Sequence, residues 1–378
     1  MAALSEEQTL IRDQAKAWAT GEAPVNTFRA LRDSGDLKRH SPELWRAMAE
    51  MGWTGIVVPE EYGGSDLGFL TFGLVLQETG RQLTASPLLV SALAGASALV
   101  LGGSDAQKQA VLPAIVDGSA VLTLAVDEAP RHNPQHIGLR AEQSGGGYVL
   151  TGGKTFVPEG AIATHVVVAA RTSGNENDDS GITLFLVPTD ADGIDRESLD
   201  TVDSRGYTNI SFNGVSVDAA AVLGSVDEGR ALLDAILDRA RVGISAEMFG
   251  TACQAFDMTL EYLKTRVQFG KPIGSFQGLG HRAADLFSEM ELAQSCLEAA
   301  LTALDTNAED SALLVSVAKC KVGDFMHHVS NELIQIHGGI GMTDELDAGF
   351  YLKRARAAEA AWGNQAWHVE RFAQLSGF

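Results

Sequence analysis

The sequence predicts an α+β protein in which two helical regions flank a strand-rich middle. Three observations carry that prediction. Helical periodicity runs from Ser5 to about Gly118, short β-branched runs broken by glycine and acidic turns follow from Ser119 to about Leu223, and helical periodicity returns from Gly224 to the end. At 378 residues the chain is longer than one hydrophobic core usually supports. The expected division is a helical N-terminal domain over 1–118, a small central β-barrel or sandwich over 119–223 and a C-terminal four-helix bundle over 224–378.

The opening string "MAALSEEQTLIRDQAKAWA" is acidic and amphipathic, and Ser5 and Gln8 have the spacing of a capping box, so it reads as a helix start and not as a targeting peptide. "SPELWRAMAEMGW" places Ser41 as a cap with Pro42 at the first helical position, where its missing N–H costs nothing. The uncharged run from Leu83 to Ser104 is about long enough to span a bilayer, but Pro87, its hydroxyl side chains and its small residues mark a buried helix. "SDAQKQAVLPAIVDG" repeats the capping logic and stops at Gly118.

In the middle region "AVLTLAV", "GGYVLTGGKTFV", "THVVVAAR", "GITLFLVP" and "NISFNGVSV" read as closely spaced strands, with turns such as "SGNENDDSG" between them. After Gly224 almost no strand-like run remains, and a helical bundle is expected. There is no internal repeat and no low-complexity linker.

Composition excludes several functions. Asp and Glu number 49 against 28 Lys and Arg, a formal charge of −21, and no basic cluster exists to neutralise phosphates, so neither nucleic acid nor an anionic membrane is an expected partner. Apolar content of 45% with 20% charged residues is globular composition. Cys253, Cys296 and Cys320 are odd in number and embedded in apolar helical patterns, which reads as reduced core thiols of a cytoplasmic protein. Their spacing makes no metal site.

Three strings resemble the acyl-CoA dehydrogenases, in that family's order and over essentially the full chain: "VPEEYGGSDLG" from Val58, "TRVQFGKPIGSFQ" from Thr265 and "QIHGGIGMT" from Gln335. The resemblance implies an oxidoreductase that holds FAD between subunits. It takes a proton from the α carbon of an acyl-CoA thioester, passes the β hydrogen to flavin as hydride, and is reoxidised by an electron-transfer flavoprotein. Such a site needs two chains, so a homo- or hetero-oligomer, a dimer or tetramer, is implied. In the family the "RxQFG" and Gln-x-x-Gly-Gly strings reach the pyrophosphate and adenine half of a neighbour's FAD. Here they correspond to Arg266, Gln268, Phe269, Phe276, Gln277, Gln335, Gly338 and Gly339. A guanidinium suits a diphosphate, and glycines let backbone N–H groups approach it.

The strand region departs from the family's letters. "VDEAP" stands where a Thr-Glu-Pro string is common, and "TFVPEG" where an aromatic precedes Ile, a hydroxyl residue and Asn. Phe156 is suited to stack on the isoalloxazine ring, whereas Pro158 replaces a flavin-bonding hydroxyl and offers no donor. Backbone groups around Val126 and Phe156 are therefore expected to hold the ring.

The two positions where relatives carry the catalytic base hold Trp362, in "AAWGN", and Ala240, in "LDRARVGI". Neither takes a proton. Glu247 lies seven residues after Ala240, two helical turns on and nearly on the same face, in the apolar setting of Ile244 and Met248. It is the expected base. The alternative reading is a structural carboxylate paired with a cation such as Arg282, and Asp238 and Glu359 rank below it. The N–H of Gly363, with the flavin ribityl hydroxyl, is expected to polarise the thioester carbonyl. "FVP" and "YLKRARAAE" resemble bacterial members that degrade steroid and other bulky acyl-CoA esters. Two alternatives follow from the departures: a flavin-poor partner subunit of a heteromeric enzyme, or another flavin reaction such as desulfination or nitroalkane oxidation.

Overall fold

The computed structural model describes residues 4–378, so the first three residues of the opening string lie outside it. The chain begins with α1 (Glu6–Gly21), α2 (Val25–Asp33), α3 (Pro42–Glu50) and α4 (Gly68–Arg81). Ser5 and Gln8 form the expected box: the Ser5 hydroxyl accepts the Gln8 N–H at 3.1 Å and the Gln8 amide oxygen accepts the Ser5 N–H at 3.0 Å. Ser41 caps α3 through the Leu44 N–H at 3.2 Å, with Pro42 as the first helical residue. The uncharged stretch is largely buried up to Leu99 and is not one regular helix: a π-helical segment, Leu88–Gly95, runs into α5 (Ala96–Gly102), where Leu101 is exposed. No helix among the described residues is long and apolar enough to cross a membrane. Ser104 and Gln107 then box the start of α6 (Asp105–Val116).

The middle region forms β1 (Leu122–Ala125), β2 (Arg140–Ser144), β3 (Gly147–Pro158), β4 (His165–Arg171), β5 (Ile182–Pro188), β6 (Ile194–Leu199), β7 (Tyr207–Asp218) and β8 (Val222–Leu223). They make one sheet in the order β6-β7-β3-β2-β4-β5-β8, with β1 parallel to β4. The expectation of a barrel is corrected here: the sheet is mixed and open. β6 pairs only with β7, and the two-residue β8 pairs only with β5, so the ends of the path do not meet. Leu150, Val166, Val168, Phe185, Ile210 and Phe212 fill the core of this region. Arg171, at the end of β4, is buried and gathers a loop: its guanidinium donates to the carbonyls of Ile137, Glu176, Asp178 and Ser180 at 2.6 to 3.2 Å.

The last region holds α7 (Gly229–Thr265), the small hairpin β9 (Val267–Gln268) and β10 (Lys271–Pro272), α8 (Gln277–Asp305), α9 (Ser311–His337), α10 (Ala348–Ala360) and α11 (Gln365–Leu375). It is the expected helical bundle, with five helices among the described residues instead of four.

Compactness does not follow sequence order. One unit joins residues up to Arg29 with Phe69–Thr84 and Arg241–Phe378; the other joins Ala30–Gly68 with Ala85–Ala240. Within the first unit α4 and α7 approach backbone to backbone. A Cβ on Gly80 would overlap the Glu247 carbonyl, one on Gly250 would overlap the Gln77 carbonyl, and the Thr251 hydroxyl donates to the Gly80 carbonyl at 3.0 Å. Only glycine permits that crossing. It fixes the stretch of α7 that carries Glu247.

Candidate active site

Strand β3 changes register against β7 between Lys154 and Val157, and this bulge turns alternate side chains in opposite senses. Lys154 goes inward and is fully buried. Its ammonium donates to the Val126 carbonyl at 3.0 Å and to Glu128 at 2.7 Å, and Glu128 in turn accepts the N–H groups of Gly138 and Leu139 at 2.8 and 2.9 Å. Burial pushes the Lys154 amine below the usual lysine range, and the Glu128 charge opposes that fall. Phe156 goes outward, 48% exposed, and holds a left-handed φ of 49°. A non-glycine residue keeps such a conformation only where its surroundings impose it.

The surroundings are specific. The Phe156 N–H donates to the Asn209 side-chain oxygen at 3.3 Å, and the Pro158 carbonyl accepts the Thr123 hydroxyl. Asp127, where the family's threonine is common, turns its carboxylate back onto its own loop, to His132 Nδ1 at 2.9 Å and the Asn133 N–H at 3.0 Å. The backbone groups expected to serve a flavin ring, the Phe156 N–H and the Val126 carbonyl, thus already have partners inside the chain. Sequence alone gave no sign of Asn209, which sits 53 positions from Phe156.

The end of the helical bundle has the opposite character. Leu263, Ile273 and Ile336 form a small core with Tyr262, Phe276 and Leu279, which draws together the end of α7, the start of α8 and the end of α9. Tyr262 stacks on His337 with ring centroids 4.2 Å apart. Burial lowers the His337 pKa, and its Nδ1 lies 2.7 Å from the Leu333 carbonyl. The hairpin projects Phe269, 90% exposed with φ 54°, whose ring meets Phe276 edge to face at 6.1 Å, while Lys271 Nζ lies 4.3 Å from the Phe276 ring centre. Arg266, Gln268, Gln277, Gln335, Gly338 and Gly339 are all exposed here. A Cβ on Gly338 or Gly339 would meet nothing within 4 Å, so their backbone is open to an incoming group. A groove of about 390 Å³ lined by Leu260, Lys264, Pro272, Ser275 and Ala283 opens beside the hairpin.

Glu247 is buried on α7, where its Oε1 accepts from Arg354 of α10 through Nε at 3.0 Å and Nη2 at 2.9 Å. A partner cation exists, then, and it is Arg354. Arg282 pairs with Glu332. Glu359 accepts from Arg356 Nη1, three residues before it, at 3.0 Å, and lies 3.1 Å from His327 Nδ1. Trp362 is buried with φ 51°, and Gly363 follows at φ 108°. Burial raises the pKa of all three cysteine thiols, Cys253 up to about 12, and all three are unpaired by disulfides.

The N-terminal, middle and C-terminal domains of acyl-CoA dehydrogenases match residues 5–119, 131–218 and 227–375. A probable acyl-CoA dehydrogenase of Bacillus subtilis, YngJ, is 31% identical over 380 residues, 95% of each chain. The chain belongs to the acyl-CoA dehydrogenase family. Among solved structures, a Tcur3481-Tcur3483 steroid ACAD variant is 30% identical, with a TM-score of 0.88 over 98% of each chain. The ChsE4-ChsE5 complex from Mycobacterium tuberculosis is 29% identical, with a TM-score of 0.88 over 100% of this chain and 99% of that one.

Acyl-CoA dehydrogenases use FAD, and the two candidate surfaces offer different groups to such a cofactor. At the bundle end the exposed Arg266 guanidinium, which makes no ion pair among the described residues, and the open Gly338–Gly339 backbone suit a diphosphate. At β3 an exposed aromatic face is present, but the neighbouring polar groups are turned to internal partners.

Proposed function

We propose that this acyl-CoA dehydrogenase acts on a bulky acyl thioester, with Glu247 as the base that removes the α-proton and Arg266, Gln268 and Gln335 directed at the nucleotide half of FAD. The observation that carries the reading is a buried carboxylate on α7 held by an arginine from α10, in a family whose two common base positions are here Ala240 and Trp362. Arg354 grips Oε1 and so fixes the rotamer of Glu247, the orientation a general base needs before its substrate arrives. FAD, when bound, supplies the hydride acceptor, and an electron-transfer flavoprotein is the proposed destination of the electrons. The Gly363 N–H would polarise the thioester carbonyl, and the small residues flanking Trp362 would shape the acyl pocket. The setting is cytoplasmic and the assembly contains at least two chains.

A second reading has its own support. Phe156 N–H on Asn209, Pro158 without an N–H, and Asp127 on His132 together favour a chain that lends its bundle end to a flavin gripped by a different, partner chain. Two similar solved structures bear names that join two different chains. In this reading the Glu247–Arg354 pair is structural.

The test is the visible spectrum of the chain purified alone and with candidate partner chains, followed by anaerobic addition of short, long and steroid side-chain CoA thioesters. A yellow protein bleached by one class, and not after Glu247→Gln, supports the first reading. A colourless chain that restores flavin to a partner supports the second, and bleaching that survives Glu247→Gln removes Glu247 from the chemistry.

A further inference from the structure

Lys319 is the one lysine of α9 with no water to face. It lies among the buried Val315, Ala318 and Val322, and its Nζ donates to three backbone carbonyls: Ala358 at 3.2 Å, Glu359 at 3.1 Å and Gly363 at 3.2 Å. An ammonium has three donors, so all are spent on the end of α10 and the turn that follows it. Arg241, also fully buried, donates Nε to the Trp362 carbonyl at 3.2 Å and lies 4.5 Å from the Trp367 ring centre. The final carbonyls of a helix have no intrahelical partner and carry the negative end of its dipole, so two cations at this place answer both needs.

The turn requires such a hold. Trp362 is a bulky residue at φ 51°, and a Cβ on Gly363, at φ 108°, would overlap the Trp367 ring. A methionine at 319 would fill the same space without the desolvation that a buried ammonium suffers, so packing alone does not account for the charge.

We propose that Lys319 and Arg241 are positioning residues: they hold the Trp362–Gly363 turn in its left-handed form and thereby present its backbone to the acyl thioester. The second half of the statement rests on the functional reading above. Burial draws the Lys319 amine down to about 7, with the Glu359 charge on α10 and Cys320 on its own helix opposing the fall and Arg241 on α7 and Arg354 on α10 adding to it; from α11, His368 and Arg371 lie against the Trp367 ring at 4.8 and 5.9 Å. A neutral amine keeps two N–H donors for three carbonyls, so the turn loosens as pH rises through that value.

The experiment uses the full chain. Tryptophan fluorescence is followed from pH 6 to 9, because Trp362 and Trp367 flank the turn, and the affinity of a CoA thioester is measured by calorimetry at both ends of the range. Wild type should show a step near pH 7 and weaker thioester binding above it. Lys319→Met should abolish the step and weaken binding at pH 6 by about tenfold, the loss of roughly one charge-assisted hydrogen bond. Should that variant fail to fold, Lys319→Gln and Arg241→Lys take its place with the same readouts. A wild-type signal flat across the range, or a Lys319→Met chain that keeps the step, overturns the clamp. A step that is lost in the variant while no thioester binds to wild type keeps the clamp and sinks the functional reading instead.

Discussion

The end of β3 and the end of the helical bundle are both places where the family pattern points to a cofactor, yet they are built in opposite ways. At β3 the polar groups look inward: Lys154 to Val126 and Glu128, Phe156 to Asn209, Pro158 to Thr123, Asp127 to His132. At the bundle end they look outward, and what holds Arg266, Gln268 and Gln335 in place is the apolar cluster of Leu263, Ile273 and Ile336 beneath them. Closed hydrogen bonds maintain a shape; open ones are what a ligand can still satisfy. The difference teaches that a residue's position in a motif does not tell whether its bonding capacity is spent.

Opening the closed region should have the largest effect. Lys154→Met leaves the partly buried Glu128 carboxylate without its cation, and a loss of about 3 to 5 kcal/mol in unfolding free energy is expected by urea denaturation. A loss under about 1 kcal/mol would mean that the β3 network is not closed in solution. Arg266→Ala should behave in the reverse manner: stability within about 0.5 kcal/mol of wild type, but at least tenfold weaker FAD retention in the assembled enzyme, read from flavin absorbance after gel filtration. Undiminished flavin would remove the bundle end as a nucleotide surface. Asn209→Ala returns the Phe156 N–H to solvent and should cost about 1 kcal/mol. Combined with Pro158→Thr, it should raise the flavin content of the chain purified alone, and no rise would show that the end of β3 is not what limits binding.

A further effect depends on pH. Because the Lys319 amine is drawn from its ordinary 10.5 to about 7 in the folded chain, the unfolded chain binds more protons between those values. The share of stability due to this group therefore rises as pH increases from about 7 toward 10.5. The slope of unfolding free energy against pH should be less positive in Lys319→Met over that window, and an unchanged slope would place the amine in water.

Much of the fold was legible because it is local. The caps at Ser5, Ser41 and Ser104 are three-residue patterns, and helical and strand periodicities need only short windows. What was not legible is long-range. Arg354 lies 107 positions from Glu247 in a basic string where any of several side chains had equal claim, and Asn209 carries no pattern that links it to Phe156. The open sheet was missed for a similar reason: strand spacing gives the number of strands, whereas closure depends on whether the terminal strands pair. Lys319 did leave a trace, a lone cation inside "LLVSVAKC", on the face of α9 where apolar residues recur.

Arg171 bears on how the protein meets a protease. The loop it gathers, rich in Asn, Asp and Gly and exposed, has the composition of a nicking site. Cleavage needs several residues to extend into the protease, and the carbonyls of Glu176, Asp178 and Ser180 cannot leave without breaking their bonds to one buried guanidinium. Limited digestion at this loop would thus wait on the opening of these bonds, and a cut there would time the release of the loop from Arg171.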